Sequence, residues 1–139
     1  MKNKTNLKTI NWSIFILVVL TAIITAILTL YDLYNSPAIG EAAQSRAGFR
    51  WGALHTIILI VILIISVPLA ISWKRLFPFN IPIAIILVGL CYELFFLTFT
   101  IGWVGFQGTF GFLIAFIIGM ILIISYLISF LIQRSRNTN

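Results

Sequence analysis

The chain has 139 residues, 61% of them hydrophobic and 9% charged, and a net charge of +6 at pH 7. Soluble domains carry about 25% charged residues, so this composition excludes a water-facing globular surface and implies an integral membrane protein solvated largely by the bilayer. One cysteine and one histidine exclude an intrachain disulfide, a CxxC redox pair, a cysteine-based zinc cluster and a haem held by two histidines.

Four apolar segments stand out, at about 10–30, 51–73, 81–103 and 110–132. Each is about 20 residues or slightly longer, which at 1.5 Å per residue spans a hydrocarbon core of about 30 Å. Their many Ile and Val residues would favour strands in water. Lipid instead requires every backbone polar group to be paired within the segment, which selects helices. Runs such as HTIILIVILIIS lack the dyad alternation of a membrane barrel. The expected fold is an all-α integral membrane protein: one domain over residues 1–139, a bundle of four transmembrane helices, and an outer loop at about 31–50.

The amino end carries Lys2, Lys4 and Lys8 ahead of segment one. Its apolar stretch is longer than the 7–15 residues of a signal-peptide core, so it is expected to be retained as a helix. Thr21, Thr25 and Thr29 recur every four residues, with Asp32 three further on, and form one helical stripe. In the outer loop, Ser36-Pro37 reads as an N-cap followed by a first-turn proline. The run AIGEAAQSRAG after it is either a short surface helix or a simple spacer. Segment two carries His55 about one turn inside its outer end, and Pro68, which is expected to kink it. The short second loop, KRLFPFN, leads to Pro82 in the first turn of segment three.

Segment three holds CYELFF, residues 91–96. Cys91 there behaves as a small hydrophobe. Glu93, one of three acidic residues, falls about 12 residues from the segment's start, near the bilayer midplane. A charge at that depth costs about 2.5–3.5 kcal/mol on insertion scales, so the carboxyl is expected to turn inward and accept a hydrogen bond. Thr21 lies at similar depth, and Gly89 and Thr100 share the face of Glu93. The reading is that helices one and three touch, with Glu93 bonded to Thr21 or Thr25 and Tyr92 beside them. His55 should sit about 9 Å away along the normal, too far for direct contact. A water-linked relay from it to Glu93 would resemble a proton path; otherwise it bonds a headgroup or the Asp32 region.

GWVGFQGTFG, with Gly102, Gly105, Gly108 and Gly111, reads as a tight hairpin into segment four. Gly111, Ala115 and Gly119 then recur every four residues, a small-residue face for close helix packing within the chain or across a homodimer. Ser125, Tyr126 and Ser129 either line a wet vestibule or bond their own helix.

Orientation follows from Lys and Arg. Lys2, Lys4, Lys8, Lys74, Arg75, Arg134 and Arg136 fall on one side of this threading, Arg46 and Arg50 on the other, which places both termini in the cytoplasm. Trp12, Trp51, Trp73 and Trp103 mark segment ends, as an interfacial belt would. The abundance of Ile, Lys and Asn points to a bacterial source and its cytoplasmic membrane. Basic residues that flank apolar runs give topology and headgroup attraction, so the expected partners are the bilayer and a membrane protein or a second copy, with no nucleic acid. The sequence offers no nucleotide, metal or nucleophile motif, so no cofactor, metal ligand or catalytic residue is assigned. An intramembrane hydrolase or transferase would need several convergent polar groups. The class expected is a non-catalytic accessory, immunity-type or regulatory membrane protein. The alternative is a small oligomeric transporter or channel, proton-coupled through Glu93 with Thr21, Thr25 and Tyr92 lining the site.

Overall fold

The computed structural model describes residues 2–35 and 45–136. Within them the chain forms helix α1 (Lys2–Asn35), strand β1 (Ser45–Ala47), helices α2 (Ala53–Ile71) and α3 (Asn80–Phe99), strand β2 (Thr100–Gly102) and helix α4 (Gly105–Arg136). All four helices are long and apolar enough to cross a membrane. The 19 and 20 residues of α2 and α3 correspond to about 30 Å of helix. The terminal helices, with 34 and 32 residues, reach about 50 Å.

The loops depart from the sequence reading. Residues 36–44, where a surface helix or spacer was expected, lie outside the described residues. The end of that run forms β1, paired antiparallel with β2 so that Ser45 faces Gly102 and Ala47 faces Thr100. This ribbon ends α3 four residues before the segment boundary read at 103. β-Branched Thr100 and Ile101 take extended backbone, and Gly102 turns the chain at φ 95°, a value disfavoured for any residue with a Cβ. Helix α4 then begins at Gly105, five residues earlier than read. Gly105, Gly108 and Gly111 are helical, not part of a loop. Helix α2 runs on through Pro68, and the Ser72 amide caps it by donating to the Pro68 carbonyl at 2.9 Å.

Helix α3 is the hub. It packs against α1, α2 and most extensively α4, while the other three helices make few or no contacts among themselves. Two stripes on α3 explain this. Ile81, Ile85 and Tyr92 face α1, where Ile14, Phe15 and Val18 complete the core with Ala115, Ile118 and Leu122 of α4. Pro82, Ile86, Gly89, Glu93 and Phe96 face α4. The pairs Trp12–Trp73 and Phe79–Tyr126, with ring centroids 6.4 and 6.2 Å apart, place the start of α1, the α2–α3 connection and the end of α4 at one end of the molecule. The helices therefore alternate in direction.

Candidate functional site

Polar side chains gather where α1, α3 and α4 meet. Thr25 Oγ donates to the Thr21 carbonyl at 2.8 Å and lies 2.9 Å from the Tyr92 hydroxyl. Its one proton is committed within α1, so Tyr92 O–H donates to Thr25. One turn on, Thr29 Oγ donates to the Thr25 carbonyl at 2.8 Å and accepts from Gln107 Nε2 at 3.1 Å. Thr21 Oγ is spent on the Leu17 carbonyl, also at 2.8 Å. The threonine stripe thus forms, and its bonds across the molecule go to Tyr92 and Gln107.

Glu93 is placed otherwise than the sequence suggested. Adjacent residues on a helix point about 100° apart. Once Tyr92 takes the α1 side, Glu93 turns to α4, where its Oε1 accepts from Thr109 Oγ at 3.4 Å. No hydrogen bond joins it to Thr21 or Thr25 among the described residues. Gly89 does share its face, and that face meets α4 and not α1. Its depth also shifts. With α3 ending at Phe99, Glu93 lies about 9 Å from the helix end and well off the midpoint.

Between α1 and α4, floored by α3, lies a cleft of about 360 Å³. Thr21, Thr25, Tyr92 and Gln107 bring polar atoms to its wall, Gly89, Gly111 and Ala115 form its floor and far side, and the remaining lining is aliphatic or aromatic. Glu93 is outside it. Gln107 was missed because its stretch read as a hairpin; a helix from 105 onward puts Gln107 and Gly111 on one face, which was the available signal.

His55 is a cap. Its Nδ1 accepts the Gly52 amide at 3.1 Å, which fixes the proton on Nε2. Nε2 therefore donates to the Leu97 carbonyl, 3.0 Å away. The ring is buried and lies 5.5 Å from Trp51. The last four carbonyls of a helix lack intrahelical donors, and in α3 all are supplied. Thr100 bonds to Phe96, His55 Nε2 and Arg50 Nε (3.2 Å) to Leu97, the Arg50 amide to Thr98 at 2.9 Å, and the Gly48 amide to Phe99 at 3.0 Å. Arg50 also sets a cation at the negative end of the helix dipole. Both ring nitrogens of His55 are thus engaged, with Gly52 and Leu97, and no hydrogen bond joins it to Glu93 among the described residues.

The small-residue face of α4 packs inside the chain. A Cβ on Gly89 would stand 2.7 Å from Ala115 Cβ, and one on Gly108 2.8 Å from Phe96 Cβ. One on Gly111 would strike the Tyr92 ring, and one on Gly119 would meet Ile86 and the Pro82 carbonyl. Ser125 and Ser129 donate to the carbonyls four residues back at 2.8 and 2.9 Å, and Tyr126 is buried against Phe79.

These features define a helical chain with four helices suited to crossing a membrane, centred on one helix whose polar neighbours staple and cap it. No known protein family matches the sequence, no curated protein matches it, and no solved structure matches it.

Proposed function

We propose that the chain is a non-catalytic accessory, immunity-type or regulatory protein of the bacterial cytoplasmic membrane, crossing it four times with both termini in the cytoplasm. The observation that carries this reading is the use of the polar side chains. Tyr92, Thr25, Thr29 and Gln107 bond helix to helix, His55 and Arg50 cap α3, and Glu93 holds Thr109 of α4. Groups committed to packing make a scaffold. Outside them, α1, α2 and α4 present rows of exposed Ile, Leu and Phe, the surface expected of helices that face lipid or a membrane partner. The distribution of Lys and Arg supports the orientation.

The second reading, an oligomeric transporter, draws on the α1–α4 cleft, where the Tyr92 and Gln107 polar atoms meet an apolar wall. Proton coupling through Glu93 fits it less well, since the carboxyl lies outside that cleft. One experiment separates the two. In liposomes, Glu93→Gln keeps a partner for Thr109 and is expected to behave as the parent protein, while Glu93→Leu loosens the α3–α4 contact. Glu93→Gln that assembles normally yet abolishes a proton-dependent flux would favour the transporter. Orientation is tested with cysteines at Arg46 and Arg75 in a Cys91→Ala background. An impermeant maleimide applied to intact cells is expected to label the first and spare the second.

A further inference from the structure

At the end of the molecule that holds the start of α1 and the α2–α3 connection is a concavity of about 700 Å³, walled by Lys8 and Trp12 of α1, Trp73, Lys74 and Phe77 of the connection, and Asn80 and Ile81 of α3. Two cations from separate elements converge on it. Neither Lys8 nor Lys74 forms an ion pair among the described residues, and both are exposed. The two indoles that line it lie in tilted contact, and neither indole N–H has a hydrogen-bond acceptor among the described residues. Asn80, by contrast, is engaged within the chain: its Nδ2 donates to the Trp73 carbonyl at 3.2 Å and its Oδ1 accepts the Ile81 amide at 2.9 Å. That fixes Trp73, and with it Lys74, against the start of α3.

We propose that this concavity is a binding site for the phosphodiester headgroup of an anionic phospholipid such as phosphatidylglycerol. The charge is complementary, since two lysines and two tryptophans whose indole N–H groups have no acceptor among the described residues line it, suited to an occupant with acceptor oxygens and one negative charge. The position is complementary too. The site opens where the apolar run of α1 begins, at the level where tryptophans rest in headgroups and where the cytoplasmic leaflet carries its anionic lipid. Phe77, half-buried, offers an apolar edge for a glycerol backbone and the first acyl methylenes. The inference rests on the membrane reading above and adds a preferred lipid.

The test uses intrinsic fluorescence. The chain has four tryptophans, and Trp51→Phe with Trp103→Phe leaves Trp12 and Trp73 as reporters. The protein is reconstituted in phosphatidylcholine with a small, equal fraction of brominated phosphatidylcholine or brominated phosphatidylglycerol as quencher. The expected result is stronger quenching by the glycerol lipid. Lys8→Gln and Lys74→Gln should each reduce that preference about fivefold, the factor given by about 1 kcal/mol per basic residue at an anionic surface. Lys8→Arg and Lys74→Arg should keep it. Arg75→Gln, one residue along but outside the wall, should lower it less than either lysine variant does. Equal quenching by both lipids overturns the site. An equal loss with Arg75→Gln reduces it to diffuse surface attraction and also overturns it. Loss of the preference in inorganic phosphate, but not in chloride of equal ionic strength, would reassign it to a soluble anion. No quenching by either lipid would overturn the membrane reading itself.

Discussion

The tightest statement about packing is that α3 and α4 interlock through Gly89 and Ala115. A methyl at position 89 would stand 2.7 Å from Ala115 Cβ and 3.2 Å from Phe112 Cα. Carbon pairs rest at about 3.5–4.0 Å, so Gly89→Ala must push the helices apart by about 1 Å or distort them. Overpacking of this kind costs about 1–3 kcal/mol, against which the helix gains about 1 kcal/mol from replacing glycine. Ala115→Gly alone loses a buried methyl and about 1 kcal/mol of helix propensity. In the double variant the methyl has only changed sides, and the propensity terms cancel. Its loss should therefore fall short of the sum of the single losses by about 0.5–3 kcal/mol, the range of coupling seen for residues in contact. Full recovery is not expected, because the Phe112 backbone remains close. The assay is a double-mutant cycle on unfolding free energies from detergent titration followed by tryptophan emission. Gly105→Ala is the control, since its nearest neighbour would be Thr100 Oγ at 3.7 Å; it should be neutral or slightly stabilising. Additivity of the two substitutions to within about 0.5 kcal/mol, or an equal loss in the control, would refute the interlock.

His55→Ala removes a donor from the Leu97 carbonyl and an acceptor from the exposed Gly52 amide, so it should cost about 1–3 kcal/mol, two bonds at about 0.5–1.5 kcal/mol each, read as a lowered midpoint of thermal unfolding in detergent. His55→Phe keeps the ring against Trp51 and should not restore the loss. Tyr92→Phe should loosen α1 by about 0.6 kcal/mol, the average for a hydrogen bond between membrane helices, seen as a broadened distance distribution between spin labels on α1 and α3. Thr25→Val should give the same change, and combining the two should add little.

Much of the architecture was legible because the expected hydrocarbon surroundings permit few alternatives: four apolar runs of sufficient length specify four helices, and the small residues at 111, 115 and 119 sit at helical spacing. The errors share a cause. Gly108 was read by its conformational freedom, whereas it serves as a surface for Phe96 and Glu93 of α3. The assignment of Glu93 to α1 failed because depth and periodicity fix a residue's height and its neighbours along one face, but not which helix that face meets. Tyr92, one position earlier, had the stronger claim on Thr25. The α3 cap was illegible for a different reason. Its long-range donors come from residues 48–55 and their acceptors from 97–99, and no local pattern announces such a distant pairing.

The polar groups also rank the helices by how firmly they are held. With lipid as the proposed surroundings, apolar contact between helices gains little over contact with acyl chains, so shape fit and hydrogen bonds decide. Helix α4 is interlocked with α3 at Gly89, Gly108, Gly111 and Gly119. Helix α2 is tied through the His55 cap. Helix α1 has two hydrogen bonds toward its carboxyl end, from Tyr92 and Gln107, together worth about 1–3 kcal/mol at values measured between membrane helices. Near its other end Asn11 is fully buried, and neither its Nδ2 nor its Oδ1 has a hydrogen-bond partner among the described residues. An unmet buried amide costs about 1–3 kcal/mol, which offsets much of what those bonds supply. The most apolar stretch of α1 contains no buried residue. Helix α1 is therefore expected to separate first, along its contact with α3, and the α1–α4 cleft would widen as it does so.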